Sequence, residues 1–335
     1  AFALDTERGL FLLGIFSFFV LGGLLIFAVK NSTDNQSSYY SLNSKEFGLL
    51  LNNLLLVVLA ISILFGTLYP LIYEAYTGGK QISVGAPYFE IIIFPFSLML
   101  GLLQGIALYL SWGSTKSFNF LGKLIIESLS IFLLTLILLY VLFDDLIPAS
   151  FITIFIFAWL IAGSILFNLS FKSFKNYLDF INRRIGVVLS HVGMAVLVLG
   201  VGVVSSYSNE KELILDTGDK IKFNNKDIEF LEIRNVTGPN YVSKVAEIRV
   251  QDNNESFNLQ TEKRTYFPSG QVTTEAGIDP GIFGDFYVSM GDNYDGNSWS
   301  FKLQSKPFIR WIWLGALLIT LGTFFSSMNI VRRSS

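Results

Sequence analysis

Cysteine is absent from this chain of 335 residues, and histidine occurs once, at His191. Without thiols the chain has no thiol redox chemistry, no thiolate metal site and no thioether attachment point for a cofactor. Its polar part holds no histidine, which excludes a serine triad or a zinc hydrolase site of the usual kind there. Charged residues are also scarce, at 15% against 52% hydrophobic. This composition is typical of a polytopic membrane protein.

Seven apolar runs are long enough to cross about 30 Å of hydrocarbon, which takes roughly 20 helical residues. They fall at 9–29, 47–73, 87–111, 120–143, 149–170, 186–206 and 308–329. The third run contains Pro95, which in a membrane helix favours a kink. The sequence therefore predicts an all-α polytopic bundle of about seven transmembrane helices.

Lysine and arginine fall in alternate loops of this seven-helix arrangement, and cytoplasmic loops retain such residues. The basic residues on the one side are Lys30, Lys45, Lys116, Lys123, Lys172, Lys175, Arg183, Arg184, Arg332 and Arg333. The opposite loops carry acidic residues such as Asp144 and Asp145. We therefore expect the N-terminus of this chain to face outward and its C-terminus to face the cytoplasm.

The composition becomes polar between the last two apolar runs, over residues 207–306. This stretch holds 11 basic and 16 acidic residues, an acidic balance that does not favour nucleic-acid binding. Apolar and polar residues alternate at Lys220–Phe223, Ala246–Val250, Phe257–Leu259 and Ser298–Leu303. Period-two runs separated by turn residues predict a small all-β domain. The expected organisation is six helices in 1–206, an extracytoplasmic β domain in 207–306, and a last helix with a cytoplasmic tail in 307–335.

His191 lies inside the apolar run 186–204, where an ionisable side chain indicates a functional site by default. Imidazole is the commonest protein ligand for metals, and without thiolates a haem iron is the first candidate. The alternative is a core histidine bonded to a neighbouring helix. Met194 is on the same helix and cannot reach across an iron, and Met99 and Met290 are the other methionines to consider. A bis-histidine site would therefore take its second ligand from elsewhere.

Two arginines precede His191 by about 10 to 12 Å along a helix that rises 1.5 Å per residue. Arg183 and Arg184 can pair with the anionic propionates of a haem bound at His191, or can simply mark the cytoplasmic side of the membrane. Gly186, Ser190 and Gly193 form a strip of small residues on an adjacent face. Such a strip admits another backbone or a flat macrocycle.

Arg310, Trp311 and Trp313 stand where the polar stretch returns to the membrane. Indole rings prefer the headgroup level, so these tryptophans are either belt residues or part of a surface for a flat ligand or a partner protein.

Several strings of the sequence resemble consecutive motifs of the CcmF family of bacterial cytochrome c maturation proteins, in order along the whole chain. The strings are Leu50–Val57, Gly66–Pro70, Ile82–Phe89, Gly238–Tyr241, Glu262–Arg264 with Tyr266, Thr274–Ala276 and Pro307–Gly315. The resemblance implies a haem lyase subunit in the bacterial inner membrane. Such a subunit brings haem from a chaperone together with a Cys-X-X-Cys-His apocytochrome c, so that thioether bonds form in the periplasm.

His191 falls where the family has one of two transmembrane histidines that ligate a b-type haem, which is thought to reduce the incoming haem iron. The family's tryptophan-rich haem-handling segment and its other histidines have no counterpart here. We therefore expect this chain to correspond to the C-terminal half of such a protein. Its partners are then the N-terminal half, apocytochrome c with its thiol-reducing assembly partner, the haem chaperone and the lipid bilayer. Alone, it is not expected to complete the reaction of a holocytochrome c synthase.

Two other functions remain open at this point. A transporter component for haem or another substrate predicts helices broken near the midplane, for which Pro95 is the one clear breaker deep in a span. A scaffold that docks partner proteins without a cofactor predicts that His191→Ala leaves function intact.

Overall fold

The computed structural model describes residues 6–30, 41–78, 80, 82–107, 110–113, 119–142, 148–166, 174–252, 255–295 and 297–334. The helices of these ranges are α1 (Thr6–Lys30), α2 (Lys45–Thr77), α3 (Ala86–Ala107), α4 (Asn119–Leu142), α5 (Pro148–Leu166), α6 (Phe174–Tyr207) and α7 (Ile309–Ser334). Within the described ranges, nine strands follow α6 and precede α7 in chain order. The chain divides into two compact units, residues 1–117 and 118–335.

Among the described residues, four helical segments are long and apolar enough to cross a membrane: Lys45–Thr77, Pro87–Ala107, Arg184–Tyr207 and Ile309–Met328. Shorter apolar stretches lie in the other three helices, at Leu13–Val29, Ser128–Ile137 and Phe151–Gly163. A helix is therefore found at each of the seven predicted places, while seven membrane spans remain a prediction. Helix α3 continues through Pro95, so the broken helix that a transporter component would need is not found there, while the kink stays a prediction.

Helices α2 and α3 contact each other within the first unit, and residues of the quoted motifs make this contact. The Ser44 side chain caps α2 by accepting from Phe47 N, and Gly78 ends the helix in the left-handed conformation at φ 70°. The Tyr88 ring of α3 lies against Gly66 of α2 so closely that a Cβ there would overlap it. The Tyr88 hydroxyl donates to the Ser62 carbonyl at 3.1 Å. Two of the quoted motif strings thus meet at one helix crossing.

The nine strands form two antiparallel sheets. They are β1 (Asn209–Asp216), β2 (Lys220–Phe223), β3 (Lys226–Thr237), β4 (Tyr241–Asp252), β5 (Glu255–Tyr266), β6 (Val272–Glu275), β7 (Gly277–Asp279), β8 (Gly284–Asn293) and β9 (Ser298–Pro307). One sheet has the order β1-β9-β8-β7 and the other the order β2-β3-β4-β5-β6. This confirms the predicted small all-β domain, which is a β-sandwich.

The sandwich core consists of the inward residues of alternating strands, as the period of two requires. Its largest members include Phe230 and Phe301, whose ring centres are 4.9 Å apart. Thr261 links the two sheets, since its hydroxyl accepts from Met290 N at 3.0 Å and donates to Glu275 O at 2.9 Å. Met290 itself is only 1% exposed in this core, which removes it as a haem ligand.

Candidate functional site

Helix α6 packs against other helices through two of its faces. His191 lies on the face turned away from α7. Gly186, Gly193 and Gly200 recur every seven residues and all approach α7. His191 is two residues from Gly193, or about 200° around the helix. Gly202 follows His191 by 11 residues, close to three full turns, and lies directly against Thr153 of α5. The His191 face of α6 is therefore the face that packs on α5.

The imidazole of His191 has its tautomer fixed by its own helix. Its Nδ1 lies 2.8 Å from the Val187 carbonyl oxygen. A carbonyl oxygen only accepts, so Nδ1 carries the proton and Nε2 carries the lone pair. Metal-binding histidines commonly donate one ring N–H to a backbone carbonyl in this manner while the other nitrogen binds the metal. The side chain is half-buried. The geometry fits ligation of an iron through Nε2.

Arg184 shares the His191 face. It precedes His191 by seven residues, which brings it back to nearly the same side of the helix about 10 Å away. Its side chain is exposed. Arg183 also lies within α6, about 100° around the helix from Arg184. Helix geometry therefore puts position 184 on the His191 face more closely than position 183.

The predicted small-residue strip proves to be the contact surface for α7. A Cβ on Gly193 would come within 2.7 Å of Ile319 N and 2.8 Å of Gly315 O, and one on Gly186 within 2.5 Å of Gly322 O. Of the two uses foreseen for the strip, the approach of another backbone is the one found. The signal that sequence reasoning missed is the matching pair Gly315 and Gly322, also spaced by seven, on α7.

Arg310 and Trp311, in the first turn of α7, bind residues of the β-sandwich. We call these contacts, with Ile282, Phe283, Asp285 and Phe308, the junction. The Arg310 Nε donates to Asp285 Oδ1 at 2.8 Å. The Trp311 indole N–H donates to Ile282 O at 2.9 Å. The Trp311 ring lies 4.8 Å from Phe308 and 6.4 Å from Phe283, centre to centre. Trp313, by contrast, is 75% exposed. Of the three predicted surface residues, Arg310 and Trp311 make junction contacts, and Arg310 and Trp313 have exposed side chains.

Asp285 is the junction residue that sequence reasoning missed. It is only 6% exposed, and besides Arg310 it accepts from Gly281 N at 3.0 Å and from the Tyr287 hydroxyl at 3.2 Å. Burial first, and then the nearby Asp285 charge, raise the pKa of Tyr287. Asp285 has the opposite parity to the inward residues Phe286, Val288 and Met290 of β8, so the alternation of the strand gave no signal for its burial.

Motif residues also gather at one end of β4 and β5. The Arg264 guanidinium lies 4.7 Å from the centre of the Tyr241 ring, which is 5.4 Å from the Tyr266 ring. Arg264 Nε donates to Glu262 at 2.8 Å, and the Ser243 hydroxyl donates to the same carboxylate at 3.0 Å. These hydrogen bonds, that of Arg264 above all, lower the pKa of Glu262. Two strings of the quoted set are thus brought together in the sandwich.

Comparison with known proteins agrees with this architecture. The family model "CcmF C-terminal beta-sandwich" matches residues 206–307. The CcmF of Pseudomonas aeruginosa, a "cytochrome c-type biogenesis protein", is 34% identical over 344 residues, covering 98% of this chain and 50% of the relative. The Escherichia coli CcmF is 31% identical over 328 residues, covering 96% of this chain and 50% of that protein. The chain belongs to the CcmF family.

The CcmF match extends to a further relative and to a solved structure. The Haemophilus influenzae protein NrfE is 30% identical over 338 residues, 99% of this chain and 52% of the relative. A structure titled "Cytochrome c Heme Lyase CcmF" superposes with a TM-score of 0.70 at 20% identity, covering 95% of this chain and 50% of that one. That likeness shows a shared fold. The chain spans about half the length of the CcmF relatives it matches.

Proposed function

We propose that this chain is a haem-binding membrane subunit of the cytochrome c maturation haem lyase. It assists the transfer of haem to apocytochrome c and its covalent attachment in the periplasm, as part of a holocytochrome c synthase complex. The observation that carries the proposal is the Nδ1–H bond of His191 to Val187 O, within a family whose relatives are named for cytochrome c biogenesis.

His191 Nε2 is proposed as an axial ligand of a b-type haem. The Val187 carbonyl holds the ring in the tautomer that ligation requires and limits its rotation. This chain has no second histidine, so the other axial ligand comes from the N-terminal half of the protein. A b-type haem bound there supplies a one-electron carrier for the incoming haem iron.

Arg184 is proposed as the propionate partner on the same helix face, with Arg183 as its neighbour. Positions 184 and 191 lie about 10 Å apart along one helix face, which supports a guanidinium on the same side of α6 as a group held by His191. A guanidinium suits a carboxylate because it pairs with both oxygens at once. The orienting effect of both arginines on the membrane topology is independent of this role.

The proposed setting is the bacterial inner membrane, crossed seven times. The N-terminus of this chain then faces the periplasm and its C-terminus the cytoplasm, with domains 1–206, 207–306 and 307–335 as predicted. The four apolar helices and the loop charges support this arrangement. On the periplasmic side, Arg310, Trp311 and Trp313 form the surface proposed to meet haem or a partner. The partners are apocytochrome c, its thiol-reducing assembly protein and the haem chaperone.

The test is a visible absorption spectrum of the purified protein, oxidised and reduced, with the N-terminal half co-expressed. We expect low-spin b-type bands that His191→Ala removes. Met194→Leu, one turn along the same helix, is the matched control and is expected to keep the bands. A spectrum unchanged in His191→Ala, or haem absent from the parent under all conditions, would leave the scaffold function in place of this one.

A further inference from the structure

The loop between β7 and β8 presents two large apolar side chains at its end. Ile282 is 75% exposed and Phe283 is 67% exposed. We call residues 280–283 the tip. Adjacent exposed apolar side chains of this size at a loop end are costly in water and mark a contact surface.

The tip is fixed to the first turn of α7 through its backbone. Phe308 N donates to Phe283 O at 2.9 Å, and the Trp311 indole donates to Ile282 O at 2.9 Å. Buried Asp285 accepts from Gly281 N at 3.0 Å while it also binds Arg310. Phe308 has a positive φ of 58°, a conformation rare for a bulky residue, which turns its ring onto Phe283. These bonds therefore fix the position of the tip relative to the first turn of α7.

The depth of the tip in a bilayer depends on the residue at which the apolar part of α7 begins. That part is Ile309–Met328, 20 residues, or about 30 Å of helix, which matches the hydrocarbon thickness. Its first residues are the ones bonded to the tip. If α7 crosses a bilayer, its first turn and the tip lie together at the boundary between headgroups and acyl chains. Trp313, exposed in the same region, is a residue type that prefers this level.

We propose that the tip inserts Ile282 and Phe283 into the headgroup–acyl boundary of the lipid bilayer. The occupant of this surface is phospholipid, and the contact is apolar, since both acidic residues that flank the tip face a cation. Asp285 is buried against Arg310, and Asp279 Oδ2 lies 3.8 Å from Lys226 Nζ. The consequence is a second membrane anchor for the sandwich, which fixes its tilt about the α7 axis. The proposal depends on α7 crossing the membrane and is independent of haem binding.

The chain's lack of cysteine allows a direct measurement. Ile282→Cys and Phe283→Cys, each labelled with a nitroxide, retain the backbone carbonyls that bind Trp311 and Phe308. Tyr294→Cys is the matched control, because Tyr294 is as exposed as Phe283, at 67%. It lies beyond the other end of β8, about 37 Å from Phe283 along the strand at roughly 3.4 Å per residue. Collision rates with oxygen and with a neutral nickel chelate are measured by EPR in phosphatidylcholine nanodiscs.

We expect oxygen collisions to exceed nickel collisions at 282 and 283, and the reverse at 294. Nickel access at the tip as high as at 294 would place the tip in water and overturn the proposal. Low access to both reagents would show a protein covering the tip and would overturn it equally. The haem spectrum of the same protein tests the proposed function separately. Failure of the lipid proposal can therefore be told apart from failure of haem binding.

Discussion

Glu262 gives the sandwich a dependence on pH that can be traced to single bonds. Arg264 and Ser243 both donate to its carboxylate, and these bonds, with the Arg264 bond as the larger cause, hold its pKa below the usual 4.5. A carboxylate with a lower pKa in the folded state stabilises that state above its unfolded pKa. This contribution is lost as the pH falls through the folded pKa.

We expect the β4 and β5 backbone to become less protected from hydrogen exchange as the pH falls below about 4.5, after correction for intrinsic rates. Glu262→Gln should lower protection at neutral pH and flatten its dependence on pH. Glu232→Gln is the control, because Glu232 makes no ion pair among the described residues. Equal pH profiles for Glu262→Gln and the parent would contradict the assignment.

Residue type alone was enough to predict His191 as a site residue, but it was not enough to predict the junction residue Asp285. A lone histidine in an apolar run stands out because an ionisable group is costly there whatever surrounds it. Asp285 sits in a polar stretch where carboxylates are ordinary. Its burial depends on strand pairing with β9 and on Arg310, which lies 25 residues away in sequence. No local pattern reports that distance in space.

At the scale of elements, the α6–α7 pair depends on glycine at the crossing. The heptad spacing of Gly186, Gly193 and Gly200 keeps one face of α6 on α7 over its length. The same spacing on α7 sets Gly315 opposite Gly193, where a Cβ would come within 2.6 Å of Leu197 N. Both helices therefore approach to backbone contact, which small residues permit between membrane helices.

We expect Gly193→Ala to destabilise the protein by about 1 to 3 kcal/mol through overpacking. In an open helix the same change stabilises by roughly 1 kcal/mol. Gly14→Ala is therefore a matched control, since no described atom lies within 4 Å of the Cβ it would add. The melting temperature of each variant is measured by circular dichroism during thermal unfolding in detergent. A rise in melting temperature for Gly193→Ala would show that the helices are not in backbone contact there.

Helix ends were less predictable than the elements themselves. The alternating runs predicted at Lys220–Phe223 and Ser298–Leu303 are strands, because period two reflects which face is buried. Helix α6, however, begins at Phe174, whereas the apolar run begins at residue 186. Hydropathy marks where a helix leaves the hydrocarbon. Backbone hydrogen bonds continue through polar residues such as Asp179 and Arg183, so the charged segment expected as a loop is partly helical.

At the scale of the whole molecule, the proposed function depends on a single histidine in this chain. It spans about half the length of its CcmF relatives and brings one histidine. A b-type haem shared with the N-terminal half would join the two parts through its iron. Under the proposed function, haem retention would depend on α6, and haem attachment would depend on the first turn of α7.

A change at Trp313 tests these two proposed roles separately. We expect Trp313→Ala to lower covalent haem attachment to a co-expressed apocytochrome c several-fold while the b-type absorption bands stay intact, because Trp313 is exposed and makes no junction hydrogen bond among the described residues. Leu317→Ala is the matched control, exposed at 55% on the same helix face one turn further along. The amount of haem-stained cytochrome, compared with the reduced b-band of the purified complex, gives both readings from one culture. Loss of the b-band in folded Trp313→Ala would show that the indole supports the b haem itself. An equal loss of attachment in Leu317→Ala would mean that general contact along α7, with no special role for the indole, carries the effect.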